Sequence, residues 1–198
     1  MQYNPDIHHR RSIRLQGYDY SQDGAYFITI CVQGRECLFG DIAEGGMRMN
    51  EAGKMILQIW NELPQRFSNA EIDILAVMPN HLHGIIFLHR RGEPCVRPAS
   101  HCISSLPSNT KGDHKDRPYG TLPDSIGRLV QAFKSITTNQ YIHGVKKQGW
   151  RPFPGRLWQR NYWEHIICDE TELEKTREYV QNNPAQWALD ELNPFYAP

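Results

Sequence analysis

No apolar run in the chain approaches the ~20 residues that a bilayer-spanning helix requires, so a helical membrane protein is not expected. The opening stretch, MQYNPDIHHRRSIR, has no apolar segment behind its basic residues, which argues against a secretory signal. Cysteine is scarce as well: there are five, an odd number, with no CxxC pair among them. That pattern points to reduced thiols in the cytoplasm rather than to a disulfide framework. Net charge is also absent, since 22 basic residues balance 22 acidic ones, and no global field announces a nucleic-acid partner. What these absences leave is a cytoplasmic globular chain of 198 residues, expected to form a single domain with a real core.

The balanced charge is unevenly placed. The stretch from Lys146 to Arg160, KKQGWRPFPGRLWQR, carries five basic residues and no acidic one. HHRRSIR near the start is purely basic, whereas acidic residues gather in CDETELEKTRE. Basic residues interleaved with Trp and Phe suit a phosphate backbone with exposed bases. On that ground Arg10, Arg11, Arg14, Lys146, Lys147, Arg151, Arg156, Trp158 and Arg160 are candidate DNA contacts. The plainer alternatives are a solvated basic face and, for Trp158, a place in the core.

Hydrophobic patterning divides the chain into strands and helices. Ala25 to Val32 (AYFITICV) reads as a central strand, rich in aromatic and β-branched residues. Met55, Ile56, Ile59, Trp60 and Leu63 recur at helical spacing, with Asn50 as the cap before them. Ile72 to Met78 and His81 to His89 read as two strands turning at Pro79-Asn80. Residues 90–123 lose all periodicity and are expected to form a mobile surface insertion. Asp124 to Ile142 is a second helix, Tyr162 to Cys168 another strand, and Thr171 to Asn182 a third helix that ends at Asn183-Pro184. Strand, helix, hairpin, helix, strand, helix is the order of an α+β fold, an antiparallel sheet with helices packed on it.

Two local arrangements carry chemistry. In 77-VMPNHLHGIIFL-88, alternation along a strand points His81 and His83 to one face and Leu82 to the other, so both imidazoles can reach one ion. An exposed or structural pair of histidines would look the same. In 178-EYVQNNP-184, Tyr179 and Asn183 stand four residues apart and share a helix face. A phenol beside a metal-bound phosphate is a candidate nucleophile. Alternatively, Tyr179 packs at the core edge while Asn183 ends the helix. Tyr141, in QYIHG, also lies near a helix end and is the rival, although Val145 four residues on cannot bind a metal. Glu164 and His165 alternate on their strand, so at most one of them faces a site there.

Taken together, these motifs resemble a known family. HLH fits the His-hydrophobic-His signature of the HUH single-strand nucleases. MPNHLHGII, WQRNYWEHII and EYVQNNP together resemble the single-tyrosine HUH transposases, above all the REP-associated tyrosine transposases. The opening RRSIRLQGYDYSQDGAYFITICVQGRECLFG is similar to the start of members of that group, and only 90–123 falls largely outside the likeness. The resemblance implies a ferredoxin-like HUH nuclease core. It implies that His81 and His83, completed by Asn183, hold a divalent Mg²⁺ or Mn²⁺ ion. Tyr179 would attack DNA to give a 5′-phosphotyrosine link and a free 3′-OH. Asn183 stands where insertion-sequence members carry glutamine, and its Asn-Pro resembles the REP-associated branch. The implied partner is single-stranded or hairpin DNA of REP type, handled by a monomer or a homodimer. A non-catalytic hairpin-binding protein and a metal-dependent hydrolase using water are the alternatives.

Overall fold

The computed structural model describes residues 18–89 and 124–196. Strand β1 (Gly24–Cys31) is buried over almost its whole length, as its unbroken aromatic and β-branched run anticipates. A small hairpin follows, β2 (Gly40–Ala43) and β3 (Gly46–Met49). It is absent from the sequence reading because GDIAEGGMRM is short, glycine-rich and half polar. Helix α1 (Glu51–Asn61) begins at Asn50, whose side-chain oxygen accepts from the Gly53 amide at 2.9 Å. A short α2 (Leu63–Arg66) leads into β4 (Ala70–Val77) and β5 (His81–Leu88), the hairpin expected at Pro79-Asn80.

Helix α3 (Ile126–Gln148) starts at the Ser125 cap and stops at Gly149, whose φ of +70° suits glycine at a left-handed helix end. It runs well beyond the expected end at Ile142. The extra turns carry Gly144, against which the Trp150 ring folds back in the space a Cβ would fill. Strand β6 (Trp163–Ile167) and helix α4 (Glu170–Asn182) complete the order. Asp169 caps α4 by accepting from the Glu172 amide at 2.8 Å. A 3-10 turn, Pro184–Leu189, follows directly because Pro184 cannot continue the α-helical hydrogen bonding.

The four main strands lie in the order β4-β5-β1-β6, with every neighbouring pair antiparallel. With α1 and α3 as its crossovers, this is the β-α-β-β-α-β ferredoxin-like arrangement, the expected antiparallel α+β fold. Alternation then sorts the side chains. Tyr26, Ile28, Ile30, Leu82 and Ile86 face α1 and α3, together with Trp60, Phe133 and Tyr141. Gly84, also on β5, makes room for the Trp60 indole, which occupies the place of a side chain there. On the opposite face Ala25, Phe27, Ile85 and Phe87 meet Leu173 and Val180 of α4.

One candidate DNA contact is corrected here. Trp158 is only 5% exposed and sits in the core among Phe39 and Phe133. Its indole N–H donates to Thr137 Oγ1 at 2.8 Å, and a β-bridge to Val32 holds its backbone against the sheet. No base can reach it. Lys146, Lys147, Arg151, Arg156 and Arg160 are all exposed, and Arg151 pairs with Glu36 at 3.3 Å. Arg10, Arg11 and Arg14, like the segment 90–123, lie outside the described residues.

Candidate active site

His81 and His83 occupy consecutive same-side positions of β5, on the face beneath α4. Strand register places His83 opposite Thr29, and Thr29 opposite Trp163 at the sheet edge. Both imidazoles are buried, at 0% and 3% exposure, so this is no solvated pair. Their Nε2 atoms approach to 3.0 Å. Burial, then the neighbouring His83, then Arg35 hold His81 well below the ordinary imidazole pKa. Burial alone brings His83 down to about 4. Both rings are therefore neutral at pH 7, the form that binds metals.

The hydrogen bonds assign the tautomers. Asn80 Nδ2 donates to the Arg35 carbonyl at 3.0 Å and to the Leu192 carbonyl at 2.8 Å. Its Oδ1 is thus the acceptor, and His81 Nδ1–H donates to it at 2.8 Å. The Nε2 of His81 consequently carries a lone pair. His83 Nε2–H donates to that lone pair, while His83 Nδ1 accepts from the Thr29 hydroxyl at 2.8 Å. A threonine hydroxyl can also accept, so the same partner serves the tautomer in which His83 Nε2 is freed as a ligand.

Asp190, the residue directly after the turn Pro184–Leu189, brings Oδ2 to 3.5 Å from His81 Nε2. Because His81 is neutral, this is a lone pair facing a carboxylate, not an ion pair. Asp190 Oδ2 is buried without a hydrogen bond, a costly state that a cation would relieve. Burial raises the Asp190 pKa, while the Leu192 amide and Arg35 pull it back. One ligand atom from each of His81, His83 and Asp190 falls within 4.8 Å of the others. The 3.0 Å between the imidazole nitrogens matches an edge of an octahedron with bonds of about 2.1 Å, the geometry Mg²⁺ demands. The residues present fit such an ion.

Tyr179 comes to the site from α4. Its ring packs edge-on against His83, with centroids 5.3 Å apart, and against Phe27 at 5.9 Å. It is 46% exposed, so its edge is open to a large substrate. Burial first and Asp190 second raise its pKa, and the Asn183 amide works in the opposite direction. Asn183, at the C-terminal cap of α4, turns inward at 3% exposure, with Oδ1 buried and unpaired. It supplies a second orphaned oxygen beside the tyrosine.

The rival tyrosine is elsewhere. Tyr141 is 1% exposed on the far face of the sheet, and its hydroxyl donates to the Arg151 carbonyl at 2.9 Å. His165 reaches Glu172 at 2.6 Å, so it braces α4 against β6 rather than joining the two histidines.

Three contributors escape a reading of the sequence alone. Asp190 lies in ALDELNP, a stretch without periodicity or metal-ligand spacing. Arg35 has a φ of +57° in the loop after β1 and anchors its guanidinium on the Glu191 carbonyl at 2.8 Å. Asn80 was legible as a turn residue but not as the support of His81.

No family model matches the chain. An uncharacterized protein of Haemophilus influenzae is 40% identical over 196 residues, covering 96% of each chain. A solved structure of the REP-associated tyrosine transposase bound to a REP hairpin aligns with a TM-score of 0.52 and 16% identity. That alignment covers 89% of this chain and 74% of the other. At that identity the likeness is one of fold.

Proposed function

For a chain that belongs to the same family as the Haemophilus influenzae protein and has the fold of a REP-associated tyrosine transposase, we propose a metal-dependent nuclease and strand transferase acting on single-stranded DNA. The observation that carries this reading is the packing of Tyr179 on His83 in one chain, next to a His-His-Asp cluster with an unpaired carboxylate oxygen. The hairpin preference rests on the REP hairpin bound by the solved neighbour.

In this mechanism His81, His83 and Asp190, with the Asn183 carbonyl oxygen, hold Mg²⁺ or Mn²⁺. When bound, the ion polarises the phosphodiester and offsets developing negative charge. Thr29 and Asn80 fix the two imidazoles so that their Nε2 atoms point at one position. Tyr179 attacks phosphorus, the new O–P bond forms and the P–O3′ bond breaks. The phenol gives up its proton and the departing 3′ oxygen takes one, leaving a 5′-phosphotyrosine and a free 3′-OH. The ester keeps the phosphodiester energy, so another 3′-OH can reverse the step. Neutralising Asp190 removes one of the two influences that keep the proton on Tyr179. Arg35, beside Asp190 and exposed, is placed to meet the phosphate. Because the tyrosine and the histidines share one chain, a monomer can assemble the whole site.

The test uses labelled hairpin DNA of REP type with Mn²⁺. The wild-type chain is expected to form a covalent adduct that Tyr179→Phe lowers by at least about 10³-fold. Cleavage by the Phe variant would overturn the tyrosine mechanism in favour of activated water. Tight binding with no adduct in the wild type would leave a hairpin-binding protein instead. Among the described residues no helix is long and apolar enough to cross a membrane.

A further inference from the structure

Beside Tyr179, on the side away from Asp190, α4 and β6 enclose an open cleft of about 260 Å³. Its floor is Phe27, which is buried at 6% exposure. Trp163 and Tyr179 form its walls, each nearly perpendicular to the floor, at 74° and 86° and with centroids 5.5 and 5.9 Å from Phe27. The walls are the unusual part. Trp163 is 48% exposed and Tyr179 46%, two large rings left wet, one on β6 and one on α4, over a sheet whose other aromatics are mostly buried. His165 lies parallel to the indole at 5.9 Å and 8°, which holds Trp163 in one orientation.

Charge around the cleft is selective. Glu172 lines it, but both of its oxygens are occupied, by His165 at 2.6 Å and by the Cys168 amide at 2.7 Å. Lys175 also lines it and makes no ion pair among the described residues. It stands four residues before Tyr179, on the same side of α4. The acidic side chains Glu170, Glu174 and Glu178 line a neighbouring depression on α4, which Lys175 also borders, so that Lys175 stands between the two. An aromatic slot with one free cation at its rim suits a planar ring carried on a phosphate chain.

We propose that this cleft is a nucleobase subsite, holding the base next to the phosphate that faces Tyr179. One base enters against Trp163 over Phe27, while Lys175 contacts the adjoining phosphate. Stacking of this kind tolerates any base, since every base has a π-face. The proposal rests on the single-strand DNA reading above, because a strand placed for attack by Tyr179 must carry a base within one nucleotide of this slot. By occupying the slot, that base would set which phosphate lies over the tyrosine hydroxyl.

The experiment measures equilibrium binding by the full chain, in EDTA so that no turnover occurs. The probes are labelled oligothymidylate and an abasic strand of equal length and charge. The wild type is expected to prefer oligothymidylate. Trp163→Ala should weaken that probe by about tenfold and leave the abasic strand unchanged, while Trp163→Phe recovers most of the loss. Equal loss on both probes, no loss on either, or no wild-type preference would overturn the subsite. A base-dependent loss in a chain that forms no adduct with hairpin DNA would sink strand transfer and leave the subsite standing. Adduct formation with no base dependence would do the reverse.

Discussion

The two faces of the main sheet are built from the same strands yet treat the same residue types in opposite ways. On the face covered by α1 and α3, Tyr141 and Trp158 are buried, and each spends its polar hydrogen on a partner inside the protein. On the face under α4, Tyr179 and Trp163 are half exposed. The first pair is held by packing from several directions and does no chemistry. The second lies over a small apolar cluster in which α4 contributes only Leu173 and Val180. A strand's alternation thus separates stability from reactivity at atomic range: Leu82 belongs to one face, His81 and His83 to the other.

The sharpest way to break this comparison is to truncate the tryptophans. Trp158→Ala is expected to cost about 3–5 kcal/mol in denaturant unfolding, through lost burial and the lost hydrogen bond from the indole to Thr137. Trp163→Ala should stay within about 0.5 kcal/mol. Comparable losses at the two positions would show that the α4 face is as much a stability core as the other.

Acid gives the next largest effect and acts on one face only. In the unfolded chain each histidine takes up a proton near pH 6.5, whereas folded His83 resists until about pH 4. Stability is therefore full above pH 6.5 and is lost as pH falls towards 4, by roughly 3 kcal/mol for His83 alone. His81, shifted in the same direction, adds to the loss. Urea titrations across this range, without divalent ions, read it directly. Mn²⁺ added at neutral pH should raise the midpoint in the wild type and do so far less in Asp190→Ala. A flat pH profile would contradict the neutral, buried imidazole pair.

The smallest expected change separates the tyrosines. Tyr141→Phe removes a buried hydrogen bond and should cost about 1 kcal/mol, leaving adduct formation intact. Tyr179→Phe should leave the unfolding midpoint nearly unchanged. A large stability loss at Tyr179 would mean that its ring anchors α4.

Much of this arrangement was legible in advance, for definite reasons. Periodicity located β1, β5 and α4, and alternation alone placed His81 and His83 on one side. The i, i+4 spacing of Tyr179 and Asn183 survives because Asn183, the cap just past the end of α4, keeps helical φ and ψ. Trp158 misled because a tryptophan in a basic stretch carries no sign of the bridge to Val32 that pulls it inward. Asp190 and Arg35 were invisible because loops without a period bring them in, and only the folded chain sets those loops beside His81.

Asn80 shows what this means for anyone who would move the site elsewhere. One amide grips the imidazole of His81, the backbone of Arg35 and the backbone of Leu192, three segments far apart along the chain. Grafting the strand MPNHLHG into another protein would carry the histidines but leave two of those grips empty and no Asp190 within reach. The portable unit is the turn, the loop after the first strand and the return of the chain at 190–192, transplanted together.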